Sequence, residues 1–339
     1  MIKKFLVALV FLGGALGIYS YSWTFTEHGR LDYPAAVFSK LASWNTAPAE
    51  MNADAREAAR EITKSMAGPI PYDSSVKYED HEIARLDGSF LPVRVYRPDK
   101  DGPLPIYLHI HGGAWWMGDG YPVQNANSYL ADRAGVVVVS VEYRLAPEFP
   151  FPHGLNDCVL ALKWLHENAG QFGGDPKKIA VGGGSAGGNL AAALTIVSRD
   201  AKGPPISFQF LFVPATDISG TQRWDSYDQT GEKYVLKVSE IERIIEQYIP
   251  NEDDRLLPEA SPLLAKSLAG LPKALIVTAQ FDPLRDQGEA YAKRLKSFGV
   301  EVVMHRENGA IHGLIGSDSR FASVYQMAAN SLREHFAAL

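Results

Sequence analysis

The chain opens Met1-Ile2-Lys3-Lys4 and then runs from Phe5 to Thr26 without a charge, strongly apolar as far as Ile18. Such a run has two readings, and the residues leave both open. As a signal peptide it marks an exported protein, periplasmic or secreted, although Tyr19 and Tyr21 interrupt any small-residue cleavage pattern around Ser20 and Ser22. As an uncleaved anchor it associates the protein with a membrane, with Tyr19, Tyr21 and Trp23 forming an interfacial aromatic belt. Lys3 and Lys4 flank the run in the positive-inside sense and argue against a third reading, a buried first helix. No cysteine follows the run, which excludes a lipoprotein.

From Tyr33 to Ser65 the pattern is helical, with Ala-rich, charge-interleaved stretches such as residues 52–61, and the cluster Gly68-Pro69-Ile70-Pro71 ends it. Two strands follow, one ending near Leu86 before the turn Asp87-Gly88 and one around Leu91 to Tyr96, which together predict a hairpin. Beyond it, short apolar runs recur at Ile106–Ile110, Val136–Val141, Lys178–Val181, Phe208–Val213, Ala274–Ala279 and Val300–His305. Helical patterns such as Leu155–Asn168 and Leu190–Ser198 separate them. Nearly continuous apolar strands alternating with helices predict an α/β fold, a mostly parallel sheet covered by helices on both faces. The acidic and aromatic stretch from Ser219 to Pro262, helical around Ser239–Tyr248, is too long for an ordinary crossover and predicts an inserted cap. The expected organisation is 1–26 as export or anchor segment, 27–70 as an N-terminal helical cap segment, and 71–339 as the α/β domain with its cap insertion at about 219–262.

Composition narrows the function classes. With 339 residues, 46% of them hydrophobic and 21% charged, the chain can bury a large core and is not intrinsically disordered. The 33 Lys plus Arg against 39 Asp plus Glu leave a formal charge of −6, and no long basic run offers the face that nucleic acid requires. Cys158 has no partner for an intramolecular disulfide, and no Cys/His spacing suggests zinc, so stability is expected from packing.

The chemistry sits where the strand Lys178–Val181 runs into Gly182-Gly183-Gly184-Ser185-Ala186-Gly187-Gly188 and then a helical run. Gly183-x-Ser185-x-Gly187 is a nucleophile elbow in the right context: the turn is so tight that side chains two positions either side of the serine collide with backbone. It also sets the helix N-terminus and the Ala186 N–H beside a reacting carbonyl. The rival reading, a phosphate-binding glycine loop, lacks both a position in the first βαβ unit and a Walker lysine. Upstream, the strand Ile106–Ile110 leads into His111-Gly112-Gly113-Ala114-Trp115, where the fold places its other oxyanion donors. His111 and Gly112 are expected to support that loop, and His109 to lie in the core.

Together these motifs resemble the hormone-sensitive-lipase-type carboxylesterases of the α/β-hydrolase superfamily, over nearly everything from about Tyr78 onward. Tyr143-Arg144-Leu145-Ala146-Pro147-Glu148 is similar to the family's segment after the fourth strand, and Asp282-Pro283-Leu284-Arg285-Asp286 to its acid-bearing turn. The resemblance implies that Gly113 and Ala114 donate backbone N–H groups to the oxyanion, with Ala186 as third donor. Ala114 departs from a third glycine and Gly184 from an aspartate that often precedes the serine. Neither departure removes a member of the triad.

The superfamily's chain order is serine, acid, histidine. Asp282 follows the strand Ala274–Ala279, and His312 lies in the loop after Val300–His305, so both fall at strand ends beside Ser185. Asp286 reads as a helix-start charge, Asp217 as a loop brace, His305 as a strand residue, His335 as a helix-surface residue and Cys158 as a small buried residue. Trp115, Trp116 and Met117 either line a pocket or hold the loop down. The implied reaction is hydrolysis of short- to medium-chain acyl esters through an acyl-enzyme, without metal or cofactor. An amidase or deacetylase with the same triad and a non-catalytic small-molecule receptor on the same fold are the alternatives. The resemblance also admits a homodimer paired through an edge strand.

Overall fold

The computed structural model describes residues 18–42, 52, 54–58, 70, 73, 75–118, 121–314 and 318–339; the expectations for 1–17 and for most of 43–74 lie outside these. Its centre is an eight-stranded sheet in the order β10-β9-β8-β7-β5-β6-β4-β3. The hairpin β3 (Lys77–Ala84) and β4 (Phe90–Arg97) is antiparallel, and β4 also runs antiparallel to β6 (Val137–Val141). The remaining pairs, through β5 (Leu104–Ile110), β7 (Gly174–Gly184), β8 (Phe208–Phe212), β9 (Lys273–Phe281) and β10 (Val302–Ile311), are parallel.

The apolar runs are continuous because both faces of the sheet are covered. Ile106, Leu108 and Ile110 of β5 pack on one face with α3 (His153–Asn168), α4 (Ala186–Asp200) and α7 (Arg285–Ser297). Tyr107 points to the other face, where α2 (Tyr121–Ala134) and α8 (Asp318–Ala337) close the second core. The same alternation recurs in β9, with Ala274 and Ile276 on the first face and Leu275, Val277 and Ala279 on the second. Two strands extend further than their apolar runs. β9 continues to Phe281, and β10 continues through a register shift between Glu307 and Ile311, so residues 308–311 are strand rather than loop. Asp282 and His312 therefore follow their strands directly.

Between β8 and β9, the stretch expected as an insertion holds α5 (Asp225–Thr230) and α6 (Val238–Tyr248). Ile241, Ile245 and Tyr248 of α6 are buried in the first core. Asp286 accepts the Ser226 N–H at 2.7 Å and thereby ties α5 to α7.

The N-terminal segment has short elements of its own on either side of the expected boundary at residue 26. Residues 25–30 form a small antiparallel ribbon, β1 (Phe25–Thr26) with β2 (Gly29–Arg30), before α1 (Tyr33–Ala42). A boundary after Thr26 cuts through the turn of that ribbon, which Gly29 closes at φ +121° and Thr26 Oγ1 closes with bonds to His28 N and Gly29 O. Leu31, Ala35 and Ala36 then bury themselves against Phe281, Ile311 and Tyr234, with Trp23 packed at the edge.

Candidate active site

The elbow is shaped by steric necessity. A Cβ on Gly183 would lie 2.1 Å from the Ile110 carbonyl oxygen, and one on Gly187 would meet the same atom at 2.1 Å and the His111 carbonyl oxygen at 2.5 Å. No side chain fits there. Ser185 takes the turn at φ 55°, ψ −119°, a conformation that disfavours L-residues by about 1–2 kcal/mol and that surrounding structure must hold. Its N–H donates to Phe212 O at 2.8 Å, and its carbonyl accepts from Asn189 N at 3.0 Å at the start of α4. Gly184, where relatives of this pattern often carry aspartate, faces the Phe212 ring: a Cβ there would sit 3.2 Å from it. The ring takes the space that a longer residue at 184 would enter.

Ser185, His312 and Asp282 meet at this point. Ser185 Oγ lies 3.0 Å from His312 Nε2, and His312 Nδ1 lies 2.8 Å from Asp282 Oδ2. Asp282 is fully buried, and its other oxygen accepts the Leu284 N–H at 2.8 Å, so neither carboxylate oxygen is left without a donor. His312 begins a short turn in which Gly313 adopts φ 71°, and its side chain keeps 14% of its surface exposed, so the imidazole is reachable while its partner carboxylate is not.

The loop His111–Met117 lies against the elbow: a Cβ on Gly112 would fall 2.8 Å from Gly184 O and 3.6 Å from Ser185 Cβ. Gly113, Ala114 and Trp115 all have positive φ (110°, 55° and 59°). Among the described residues the Gly113 and Ala114 N–H groups meet no acceptor. Three supports hold this loop. The buried His111 ring stacks on Tyr143 with centroids 4.2 Å apart, and Tyr143 Oη donates to His111 O at 3.0 Å. Burial pushes the Tyr143 hydroxyl well above its usual range, so it stays a neutral donor. Trp115 stacks on Tyr248 at 4.6 Å and so fastens the loop to α6.

The third support is Arg56, which sequence reasoning did not single out. Its Nε donates to Trp116 O at 2.6 Å, and its Nη2 to Ala146 O at 2.9 Å and to Glu148 Oε2 at 2.6 Å. The Arg56 guanidinium holds the Glu148 carboxyl below its ordinary value. No local pattern distinguishes this arginine from its charged neighbours; only a partner about ninety positions away does.

The rival residues lie elsewhere. His109 is buried, and desolvation pushes it down to about 3. Asp217 accepts from Ser219 N and Oγ within its own turn. His305 bonds Glu307 on β10. Cys158 is fully buried in α3, and burial raises its thiol further. His335 is half-buried rather than on the surface, bonding Ser207 Oγ and packing on Phe208. Among the described residues no group of three or more His, Cys, Asp or Glu side chains is placed to share a cation.

The parallel sheet with its glycine elbow and a hydrogen-bonded Ser, His and Asp at the strand ends is the arrangement of a hydrolase. Residues 107–316 match the model of the alpha/beta hydrolase fold family. The chain belongs to that family, as a hormone-sensitive-lipase-type carboxylesterase. It is similar to an arylesterase of Saccharolobus solfataricus, 36% identical over 83% of this chain and 91% of the relative. It also resembles the carboxylesterase NlhH of Mycobacterium tuberculosis, 38% identical over 85% of this chain and 89% of that one. A solved arylesterase structure superposes with a TM-score of 0.82 at 34% identity, covering 90% of this chain and 99% of the other.

Proposed function

We propose that the protein hydrolyses short- to medium-chain carboxylic esters by an acyl-enzyme mechanism. In this reading Ser185 Oγ attacks the ester carbonyl while His312 Nε2 takes its proton. Asp282 holds the imidazole tautomer and stabilises the imidazolium. The N–H groups of Gly113, Ala114 and Ala186 bind the oxyanion, and loss of one such donor typically costs on the order of 10²–10³ in rate. His312 returns the proton to the departing alkoxide, and water then attacks the acyl-enzyme with His312 again as base. The hydrogen-bonded chain from Ser185 through His312 to Asp282 is the observation that carries the reading.

The names of the relatives, arylesterase and carboxylesterase, support an ester rather than an amide as substrate. The stacking of Trp115 on Tyr248 ties the loop to the segment at 219–262, which in this reading roofs a compact acyl site. The test is turnover of p-nitrophenyl esters of rising acyl length by the full chain and by Ser185→Ala, with folding checked by circular dichroism. The folded variant is expected to lose on the order of 10⁴-fold or more. A folded variant within tenfold of its parent sinks the proposal.

A further inference from the structure

A contiguous set of aromatic side chains stands on the outside of the N-terminal segment. Tyr19, Tyr21, Phe25 and Tyr33 are 62%, 44%, 65% and 42% exposed, and Ile18 beside them is 76% exposed. Tyr21, Phe25 and Tyr33 form one patch, with the Tyr21 ring 5.9 Å from Phe25 and 6.1 Å from Tyr33, while Tyr19 packs edge-on against Trp23 at 5.5 Å. The Arg30 guanidinium covers Tyr21 and Phe25, 5.1 and 5.4 Å from the ring centroids. Trp23 alone turns inward, toward the Leu31 and Phe281 cluster. Exposed contiguous aromatic surface signals an interaction site.

The chain that leads into the patch points to what it touches. The sequence from Phe5 to Thr26 carries no charge and follows Lys3 and Lys4, so a segment fit to enter hydrocarbon runs directly into the patch. Tyrosine rings with a cation beside them are the chemistry of the bilayer headgroup level, where an amphipathic ring keeps its hydroxyl wet and its face apolar. The patch is also fixed to the catalytic end of the sheet. Gln280, two residues before Asp282, donates to His28 O at 2.8 Å and accepts from Gly309 N at 2.8 Å. Asp32 N donates to Gly309 O at 2.8 Å, three residues before His312.

We propose that Tyr21, Phe25 and Tyr33 rest on the surface of a phospholipid bilayer and hold the Asp282 and His312 end of the sheet close to it, so that the ester is an amphiphile drawn from the membrane. The docking stands independently; the substrate rests on the esterase reading above.

The experiment uses the full chain reconstituted into vesicles of phosphatidylcholine with phosphatidylglycerol, beside the double variant Tyr21→Ser/Phe25→Ser. Hydrogen exchange over residues 18–33 is expected to be slower in vesicles than in detergent for the parent, and the variant is expected to lose most of that difference. Both proteins should cleave water-soluble p-nitrophenyl acetate within about twofold of each other, which also shows that the variant is folded. On a long-chain ester dissolved in the bilayer the variant is expected to fall on the order of tenfold, taking interfacial anchoring of this size as a guide. Arg30→Glu should weaken the effect on the order of fivefold, and only in vesicles containing the anionic lipid. Unchanged exchange in the parent, or equal losses on both esters, overturns the docking. A parent protected in vesicles yet inert on both esters supports the docking and overturns the esterase reading instead.

Discussion

The elbow around Ser185 and the loop from His111 to Met117 face one another, and they are held by different means. At the elbow the constraint is backbone against backbone: Gly183 and Gly187 both crowd the Ile110 carbonyl, leaving no room for a side chain. The loop is held by side chains from far away in sequence, through Arg56, Tyr143 and Tyr248. A steric constraint between backbones fails completely when a methyl group is added. Support shared among several side chains weakens by degrees.

Gly187→Ala sharpens that contrast most. Its Cβ at 2.1 Å from Ile110 O has no flexible neighbour to displace, so the variant is expected to be destabilised by about 3 kcal/mol or more and to lose at least about 10²-fold in activity. Thermal unfolding and ester turnover check it; a wild-type melting temperature would break the comparison.

Arg56→Ala comes next. It frees Trp116 O, Ala146 O and Glu148 at once, and the expected outcome is a fall in kcat of about tenfold with KM changed less, because a loosened loop binds the transition state worse than the substrate. The pH profile tests the ionic part of this support. Glu148 is held below its ordinary value in the folded protein, so the Arg56–Glu148 pair is intact above the unfolded carboxylate range and is lost only as pH falls through the lower folded value. On acidification through that lower value the parent should lose more of its activity than Arg56→Ala, which lacks the pair already; identical acid-side losses would take Glu148 out of the loop's support.

The smallest expected effect is that of Ala114→Gly. Ala114 sits at φ 55°, where glycine carries no penalty, so stability should rise by up to about 1 kcal/mol or stay level. Its expected contribution is a backbone N–H, so turnover should change by less than about twofold. A loss beyond tenfold would show that the methyl group itself orders the loop.

The same contrast governs what could be read in advance. The strands were legible because a two-sided parallel sheet writes itself as uninterrupted apolar runs, and the elbow because its sterics demand glycines at fixed offsets. α2, with its Gln124, Asn125, Asn127 and Ser128, is not legible in the sequence, since its helical period is blurred by polar residues on the covered side; Asn127 and Ser128 are both buried. The ends of β9 and β10 are not legible in the sequence, because Gln280 and residues 307–309 break the apolar run although the backbone continues to pair.

The chain's own sequence determined the α/β layering, the elbow, and the order in which serine, acid and histidine arrive, because each is a local steric or periodic property. The tertiary structure alone decided that Ser185, His312 and Asp282 lie within hydrogen-bond reach and that Arg56 supports the loop at Trp116. It also decided that the N-terminal ribbon seats its aromatic side chains at the Asp282 and His312 end of the sheet. Each of these rests on partners brought together across long stretches of chain, and their proximity exists only once the two cores have closed around the sheet.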